Sequence, residues 1–322
     1  MADLQSITEF VFNNRSRLQL NVLRLTWPQE WGLDFCDIEV KLSLNGIHSN
    51  GRGQNSNEET AFEIASSEAI ERYMVKALKL RHSYGVACHS DKEEALANSI
   101  RELMEREIFF RFFYDTKTFR LIDFNSSNQI LDINDKARCQ KLINQLTQLN
   151  LKIEFWDIGK TQLGPVVLCI AQGNDDLSIL SGGASFGLAL CENQGESILK
   201  SLTEVSCKIA FINQFRPTKV SEAELLSCNN RSSDLHQRLL LDRNYFESFK
   251  SSISNGDSTF DRVNSVHTLQ DIKSVLLSTD SINIFDKAPV YIYQSFFQSE
   301  SAYLGTGDAL KNAEQNKPHF LG

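Results

Sequence analysis

Proline is scarce in this chain, five residues in 322, and no Gly/Ser-rich run separates the segments between them. Nothing therefore marks a flexible linker, and the expected organisation is one compact domain over residues 1–322. Long apolar runs are missing too. None approaches the roughly 20 residues needed to cross a bilayer, which argues against a membrane protein. The opening MADLQSITEFVF lacks a basic region followed by an extended apolar core, so no secretory signal is read there. Positive charge is in deficit, with a net charge of −8, which argues against a surface built to neutralise nucleic-acid phosphates. No C-x-x-C pair occurs among the seven cysteines, and Cys169 sits in the apolar run VVLCIA. Reduced, largely buried thiols of a cytoplasmic protein are expected, not a disulfide framework. There is also no G-x-x-x-x-G-K-[ST], hence no P-loop.

What is present reads as strands alternating with long helices. DIEVKLSL, following Cys36, alternates apolar and polar residues and predicts a strand with one buried face. A polar loop is expected next, with Gly51 and Gly53 flanking Arg52, and then a helix from about Glu58 to Leu80. Asp91 is placed to cap a second helix that runs through KEEALANSIRELMEREIFFRFF. RLIDF, LKIEFWDIG, PVVLCIAQG, LSILSGGASFGLAL and PVYIYQSF read as strands. DINDKARCQKLINQLTQL, NQGESILKSLTEVSCKIAFINQF and HTLQDIKSVLLS read as helices. Residues 1–33 look like an irregular lead-in, and 220–260 like surface helices and loops. No internal repeat of sequence is long enough to stand out. The pattern predicts an α+β fold with a mostly antiparallel sheet.

The chemistry concentrates on the two N-terminal helices. Glu94, Asn98, Glu102 and Arg106 recur at steps of four, about 400° of helical rotation per step, and so form one slowly drifting stripe. Glu105 sits beside it. The five-residue pattern E-x-x-E-R occurs twice, at Glu68–Arg72 and at Glu102–Arg106. One copy alone is ordinary surface-helix text, in which Glu68 and Arg72 form an i,i+4 pair. Two copies on successive helices, each after a glycine-containing loop, suggest a cleft lined by four glutamates. Unpaired carboxylates at close range repel one another, and a cation makes the arrangement favourable. Mg²⁺ with a nucleoside triphosphate is the ordinary solution.

These two stretches, GRG…AFEIASSEAIERY and SYGVACHSDKEEALANSIRELMERE, resemble the YcaO family. Its members show G-K-G…A-x-x-S-A-x-x-E-A-I-E-R and then S-N-G-x-A-A-G-x-T-x-E-E-A-x-x-x-A-L-x-E-L-x-E-R-D. The likeness covers residues 51–110 closely and 181–210 loosely, through GGASFGLAL…ESILKSLTEV. The resemblance implies an ATP site without a P-loop on a single YcaO-type domain. It places nucleotide contacts at Arg52, Glu68, Glu71, Arg72, Glu94, Asn98, Glu102 and Arg106, and metal ligands at Glu68, Glu71, Glu102 and Glu204. Departures from the pattern are Ile64 for serine, Arg52 for lysine, Asn98 for Gln or His, Tyr84 for asparagine and Glu107 for the final aspartate. Ala87 stands where one branch has serine.

The family's best-known reaction is the ATP-dependent cyclodehydration of Cys, Ser or Thr in a ribosomally made peptide to an azoline. The amide oxygen takes the γ-phosphoryl group after the side chain adds to the carbonyl. Related members use sulfide to make thioamides or an amine to make amidines. The resemblance thus implies ATP and Mg²⁺ as cofactors and a precursor peptide as substrate. It also implies a separate leader-binding partner protein and is compatible with a homo-oligomer; the setting is bacteriocin-like peptide biosynthesis. A YcaO-like chain that binds a partner or precursor without turnover is the non-catalytic alternative, supported by Ile64 and Asn98. Many azoline formers end in P-x-P-x-P, whereas this chain ends in QNKPHFLG, so an idle tail is expected. Two further signals compete. G-x-S-x-G at Gly183–Gly187 would suit a serine hydrolase built on Ser185, but an elbow needs a helix directly after the serine and FGLAL reads as strand. His82 and His89 could hold a metal with Cys88, although loop histidines more often serve as plain hydrogen-bonding groups.

Overall fold

The computed structural model describes residues 7–25, 36–80, 84–116, 118–124, 132–227, 237–255, 268–277 and 290–298. They divide into two compact units: those within 1–103 and 270–298, and those within 104–269.

The first unit opens with helix α1 (Ile7–Asn13) and the antiparallel meander β1 (Asn21–Leu25), β2 (Cys36–Leu44) and β3 (Ile47–Asn55). β2 and β3 form a two-residue hairpin in which Leu44 pairs with Ile47. Its turn residues, Asn45 and Gly46, have φ of 52° and 76°, the left-handed geometry that such a turn demands. Helix α2 (Glu58–Ala77) follows, capped by the side chain of Asn57 on the Thr60 amide at 3.0 Å. Its Ala61, Ala65, Ala69 and Tyr73 lie against the sheet, where Ile38, Val40 and Leu42 are buried beneath them. Strand β4 (Val86–His89) leads into α3 (Lys92–Arg111), capped as expected by Asp91, which accepts from the amides of Glu93 and Glu94 at 2.8 and 3.0 Å. The unit closes with β10 (Ile272–Leu276) and β11 (Tyr291–Phe297), in the order β10-β11-β4.

In the second unit, α3 continues into a π turn at Phe112–Thr116 and strand β5 (Thr118–Ile122). Helix α4 (Ile133–Gln148), the meander β6 (Leu151–Thr161), β7 (Gly164–Gly173) and β8 (Ala184–Leu190), and helix α5 (Gln194–Phe215) come next. Asn193 caps α5 on the Glu196 amide at 2.9 Å. Smaller helices α6 (Glu222–Ser227) and α7 (Arg243–Ser252) precede the short strand β9 (Ser254–Asn255). The sheet order is β8-β7-β6-β5-β9, antiparallel except for the β5–β9 pair. β7 and β8 are buried along nearly their whole length, and Phe109, Phe112, Phe113, Phe186 and Trp156 build an aromatic core beside them.

The architecture is the expected α+β with mainly antiparallel sheets, but three expectations change. The Gly-Arg-Gly segment is strand, not loop. Its glycines remove strand propensity, yet a Cβ at Gly51 would overlap the backbone at Ala65 and Ala69, so the absent side chain is what lets α2 lie directly on β3. The described part of HTLQDIKSVLLS, residues 268–277, forms no α-helix. A 3₁₀ turn at Leu269–Asp271 leads into β10, whose β-branched Ile272 and Val275 pair across to Phe297 and Gln294. The stretch of apolar residues is too short to separate the two periods. Finally, the chain does contain a repeat. Helix, three-stranded antiparallel meander, helix occurs once in each unit, as α1-β1-β2-β3-α2 and as α4-β6-β7-β8-α5, and in each copy the last helix packs on the last strand.

Candidate functional site

Two carboxylate clusters stand out, one in each unit. In the first, α2 covers the outer edge of β3 with side chains one turn apart. Glu68 accepts the Arg52 amide at 2.5 Å, Arg72 donates to the Asn50 carbonyl at 3.1 Å, and Lys76 donates to the His48 carbonyl at 2.6 Å. Arg72 also pairs with Glu68 at 2.6 Å. The free edge of the sheet is thereby satisfied by a helix face. Three residues after Glu68, Glu71 is half-buried, and the backbone amide of Cys88 in β4 donates to it. Burial holds its carboxyl well above the usual carboxylate range, and the nearby charges of Glu102 and Glu68 push the same way; Arg72 and the Cys88 amide oppose them. The Cys88 thiol is itself raised, by burial first and then by Glu71.

The Arg52 side chain is engaged elsewhere. Its guanidinium grips Asp37 on both carboxylate oxygens, with Nε–Oδ1 at 2.7 Å, and Asp37 is only 1% exposed. Breaking such a buried pair costs roughly 3–5 kcal/mol. Asn98 accepts from Arg101 at 2.5 Å. Glu94 is exposed in the first turn of α3, and Ile64, one turn before Glu68, is 42% exposed.

In the second unit the division of the chain falls after Leu103, so Glu105 and Arg106 belong here. Glu105, 8% exposed, accepts the Leu190 amide at 2.8 Å. Burial raises its carboxyl and Glu204 adds to this, against Arg106, Lys200 and the Leu190 amide. Glu204 accepts the Leu188 amide at 2.8 Å and pairs with Lys208 at 2.8 Å. Burial would raise it as well, but Lys208, the Leu188 amide and Arg106 prevail and its carboxyl is lowered. Lys208 also donates to the Phe186 carbonyl at 2.9 Å.

The structure thus brings Glu68, Glu71, Arg72 and Glu102 together in one unit and Arg106 with Glu204 in the other. Arg52 joins the first cluster through its backbone while its side chain serves Asp37. Among the described residues, Glu94 and Asn98 pair with no member of either cluster. The sequence placed Glu105 among four cleft glutamates but not among the nucleotide or metal contacts, and the structure sets it on the Leu190 amide. It assigned no role to Lys208, whose i,i+4 spacing to Glu204 was the available signal. Ser185 lies within β8, with the following helix beginning only at Gln194, so no strand–helix elbow forms. His89 accepts the Asp91 amide at 2.9 Å; His82 lies outside the described residues, as do the tail residues 318–322.

A family profile described as YcaO cyclodehydratase, ATP- and Mg²⁺-binding, matches residues 71–279. The chain belongs to the YcaO family. This YcaO chain is accordingly an ATP-dependent enzyme of the cyclodehydratase type, with ATP and Mg²⁺ as its cofactors. No curated protein matches it by sequence. Among solved structures it is similar to YcaO from Methanopyrus kandleri bound with AMPPCP and Mg²⁺, at 12% identity and TM-score 0.52, over 95% of this chain and 97% of that one. It is also similar to a chain of the E. coli microcin synthetase McbBCD complex, at 11% identity and TM-score 0.50, over 81% of this chain and 84% of that one. A heterocyclase in complex with substrate and cofactor matches at 11% identity and TM-score 0.59, over 98% of this chain but 56% of its own length. At these identities the likeness establishes the fold.

The residues present fit the cofactors. Among the described residues no three histidine, cysteine or acidic side chains are close enough to hold a metal ion by themselves. Mg²⁺ asks for less, since it takes one or two carboxylates and completes its shell with phosphate oxygens and water. A half-buried glutamate with two acidic neighbours is suited to that role. No helix among the described residues is long and apolar enough to cross a membrane.

Proposed function

We propose that this chain activates a backbone amide of a ribosomally made precursor peptide and closes Cys, Ser or Thr onto it as an azoline. The observation that carries the reading is the acidic cluster of Glu68, Glu71 and Glu102, in which Glu71 is held protonation-prone by burial and by its neighbours. Such a site gains from a divalent cation what it loses to repulsion. When bound, Mg-ATP supplies the phosphoryl group that turns the amide oxygen into a leaving group.

The chain's own residues provide binding and alignment. Glu71 and Glu102 hold the metal in the first unit, with Glu68 fixed beside them by the Arg52 amide and Arg72. Glu105, Arg106 and Glu204 form the mixed-charge cluster of the second unit, where Arg106 is the cation suited to phosphate oxygens. Arg72 is a second phosphate contact. The Arg52 guanidinium, committed to Asp37, supports the strand. Phosphoryl transfer demands mainly charge neutralisation and in-line positioning, and rigid helices supply the latter. The precursor peptide and a separate leader-binding protein are the proposed partners.

Glu68→Gln combined with Glu102→Gln tests the site. Calorimetry with Mg²⁺ and a non-hydrolysable ATP analogue should show binding reduced at least tenfold, about 1.4 kcal/mol, with an unchanged circular dichroism spectrum. Equal affinity in the variant and the parent would remove these carboxylates from the site.

A further inference from the structure

The repeated helix–meander–helix extends to individual hydrogen bonds. Glu204 follows Glu68 by 136 positions (204 − 68 = 136), and the same interval separates every counterpart around them. The Arg52 amide donates to Glu68 Oε2 at 2.5 Å, and the Leu188 amide donates to Glu204 Oε2 at 2.8 Å. Arg72 donates to the Asn50 carbonyl, and Lys208 to the Phe186 carbonyl. Arg72 pairs with Glu68 Oε1 at 2.6 Å, and Lys208 with Glu204 Oε1 at 2.8 Å. Asn57 caps Thr60 and Asn193 caps Glu196. A Cβ at Gly51 would collide with the backbone at Ala65 and Ala69, and one at Gly187 with that at Ser201 and Val205. Edge amide, carbonyl anchor, ion pair, cap and glycine contact all recurring at one constant interval do not arise from composition alone.

We propose that Lys208 is a positioning residue for Glu204, as Arg72 is for Glu68. In each copy a strand-edge amide fixes one carboxylate oxygen, and a cation one helical turn later fixes the other. That cation is itself anchored to the carbonyl two residues before the donating amide. The geometry leaves the glutamate little rotational freedom, which is what a group that must meet a nucleotide-bound metal requires. Lys208 does not touch the substrate in this scheme; it acts through Glu204. The proposal rests on reading Glu204 as a carboxylate of the Mg-ATP site.

The test uses the whole chain with Mg²⁺ and a non-hydrolysable ATP analogue, comparing Lys208→Met, Lys208→Arg and Glu204→Gln. Lys208→Met should weaken analogue binding about tenfold and speed hydrogen exchange at the Leu188 amide, and Lys208→Arg should restore both to within about threefold. In turnover assays Lys208→Met should raise KM for ATP and leave KM for the peptide unchanged. A methionine variant matching the parent in affinity and in Leu188 exchange would overturn the proposal. So would an arginine variant as impaired as the methionine one, because packing on Phe186 and not charge would then be the cause. If Glu204→Gln binds the analogue as well as the parent does, the assignment of Glu204 to the site fails, whereas Leu188 exchange still reports on the clamp.

Discussion

The two copies of the helix–meander–helix keep the same scaffold and differ in charge. In the first, the position three residues after Glu68 carries a second acid, Glu71, which with Glu102 makes the surroundings net acidic. In the second, the counterpart of Glu71 is Cys207, a buried apolar thiol, and the acid beside Glu204 comes instead from Glu105 with Arg106, Lys200 and Lys208 close by. The same backbone device, a glycine that lets a helix touch a strand and a glutamate that takes the edge amide, therefore supports an acidic cluster once and a mixed one once. What the two copies share lies in the glycine, glutamate, cation and cap; chemical difference lies in one residue three positions after the glutamate.

The glycines offer the strongest way to break the comparison. Gly51→Val and Gly187→Val should each destabilise by more than about 3 kcal/mol, because the backbone of a packed helix must move aside. Gly46→Ala, where a Cβ meets nothing within 4 Å and only the φ of 76° is unfavourable, should cost about 1 kcal/mol. Urea titrations of the three variants separate close approach from turn strain. If Gly51 and Gly187 tolerate valine at the cost of the turn variant, the shared packing rule is wrong.

Glu71→Gln sharpens the charge difference. A carboxyl raised in the folded state stabilises below the unfolded-state value near 4.5, and that contribution is lost as pH rises through the folded value. The glutamine variant should therefore gain on the parent in metal-free buffer as pH climbs from about 4.5 through the folded value. The same variant should bind Mg²⁺ with the ATP analogue at least tenfold more weakly. Denaturant midpoints at several pH values, with EDTA present, check the sign; an advantage that shrinks with rising pH would overturn the assignment. The caps give a smaller and symmetric effect. Asn57→Ala and Asn193→Ala should each cost about 1 kcal/mol, read as matching shifts in the denaturation midpoint.

Much of this was legible in the sequence. The cap at Asp91, the long helices and the E-x-x-E-R pairs were readable because each depends on local spacing. β3 was not, because its glycines obey a partner helix and carry no strand preference of their own. The Asp37–Arg52 pair escaped for a similar reason, since it joins residues on two strands of a hairpin and no helical or alternating period connects them. The repeat was hidden because it is kept in hydrogen-bond roles: Arg72 and Lys208 do the same work, as do Ala65 and Ser201, while few identities survive.

The smallest effect concerns the thiols, and it contrasts a helix core with a strand end. Cys139 in α4 is fully buried, and burial, with Asp135 nearby, pushes its thiol up to about 12. Cys36 at the start of β2 and Cys191 just after β8 are only partly buried, and none of the six described cysteines is in a disulfide. Alkylation requires the thiolate and access to it. Iodoacetamide at pH 8 should therefore modify Cys36 in the folded protein, label Cys191 more slowly because burial raises its thiol, and leave Cys139 intact until denaturant is added, as read by peptide mass spectrometry. The linkage has a sign as well. Between about 9, where the unfolded thiol ionises, and about 12, the folded state holds the proton that the unfolded state loses. Cys139 should thus contribute a loss of stability with rising pH in that window and none below it, and Cys139→Ala should remove the slope while leaving a small cavity cost of its own. Rapid labelling of Cys139 at pH 8 without denaturant would mean that α4 opens locally far more often than its buried face allows.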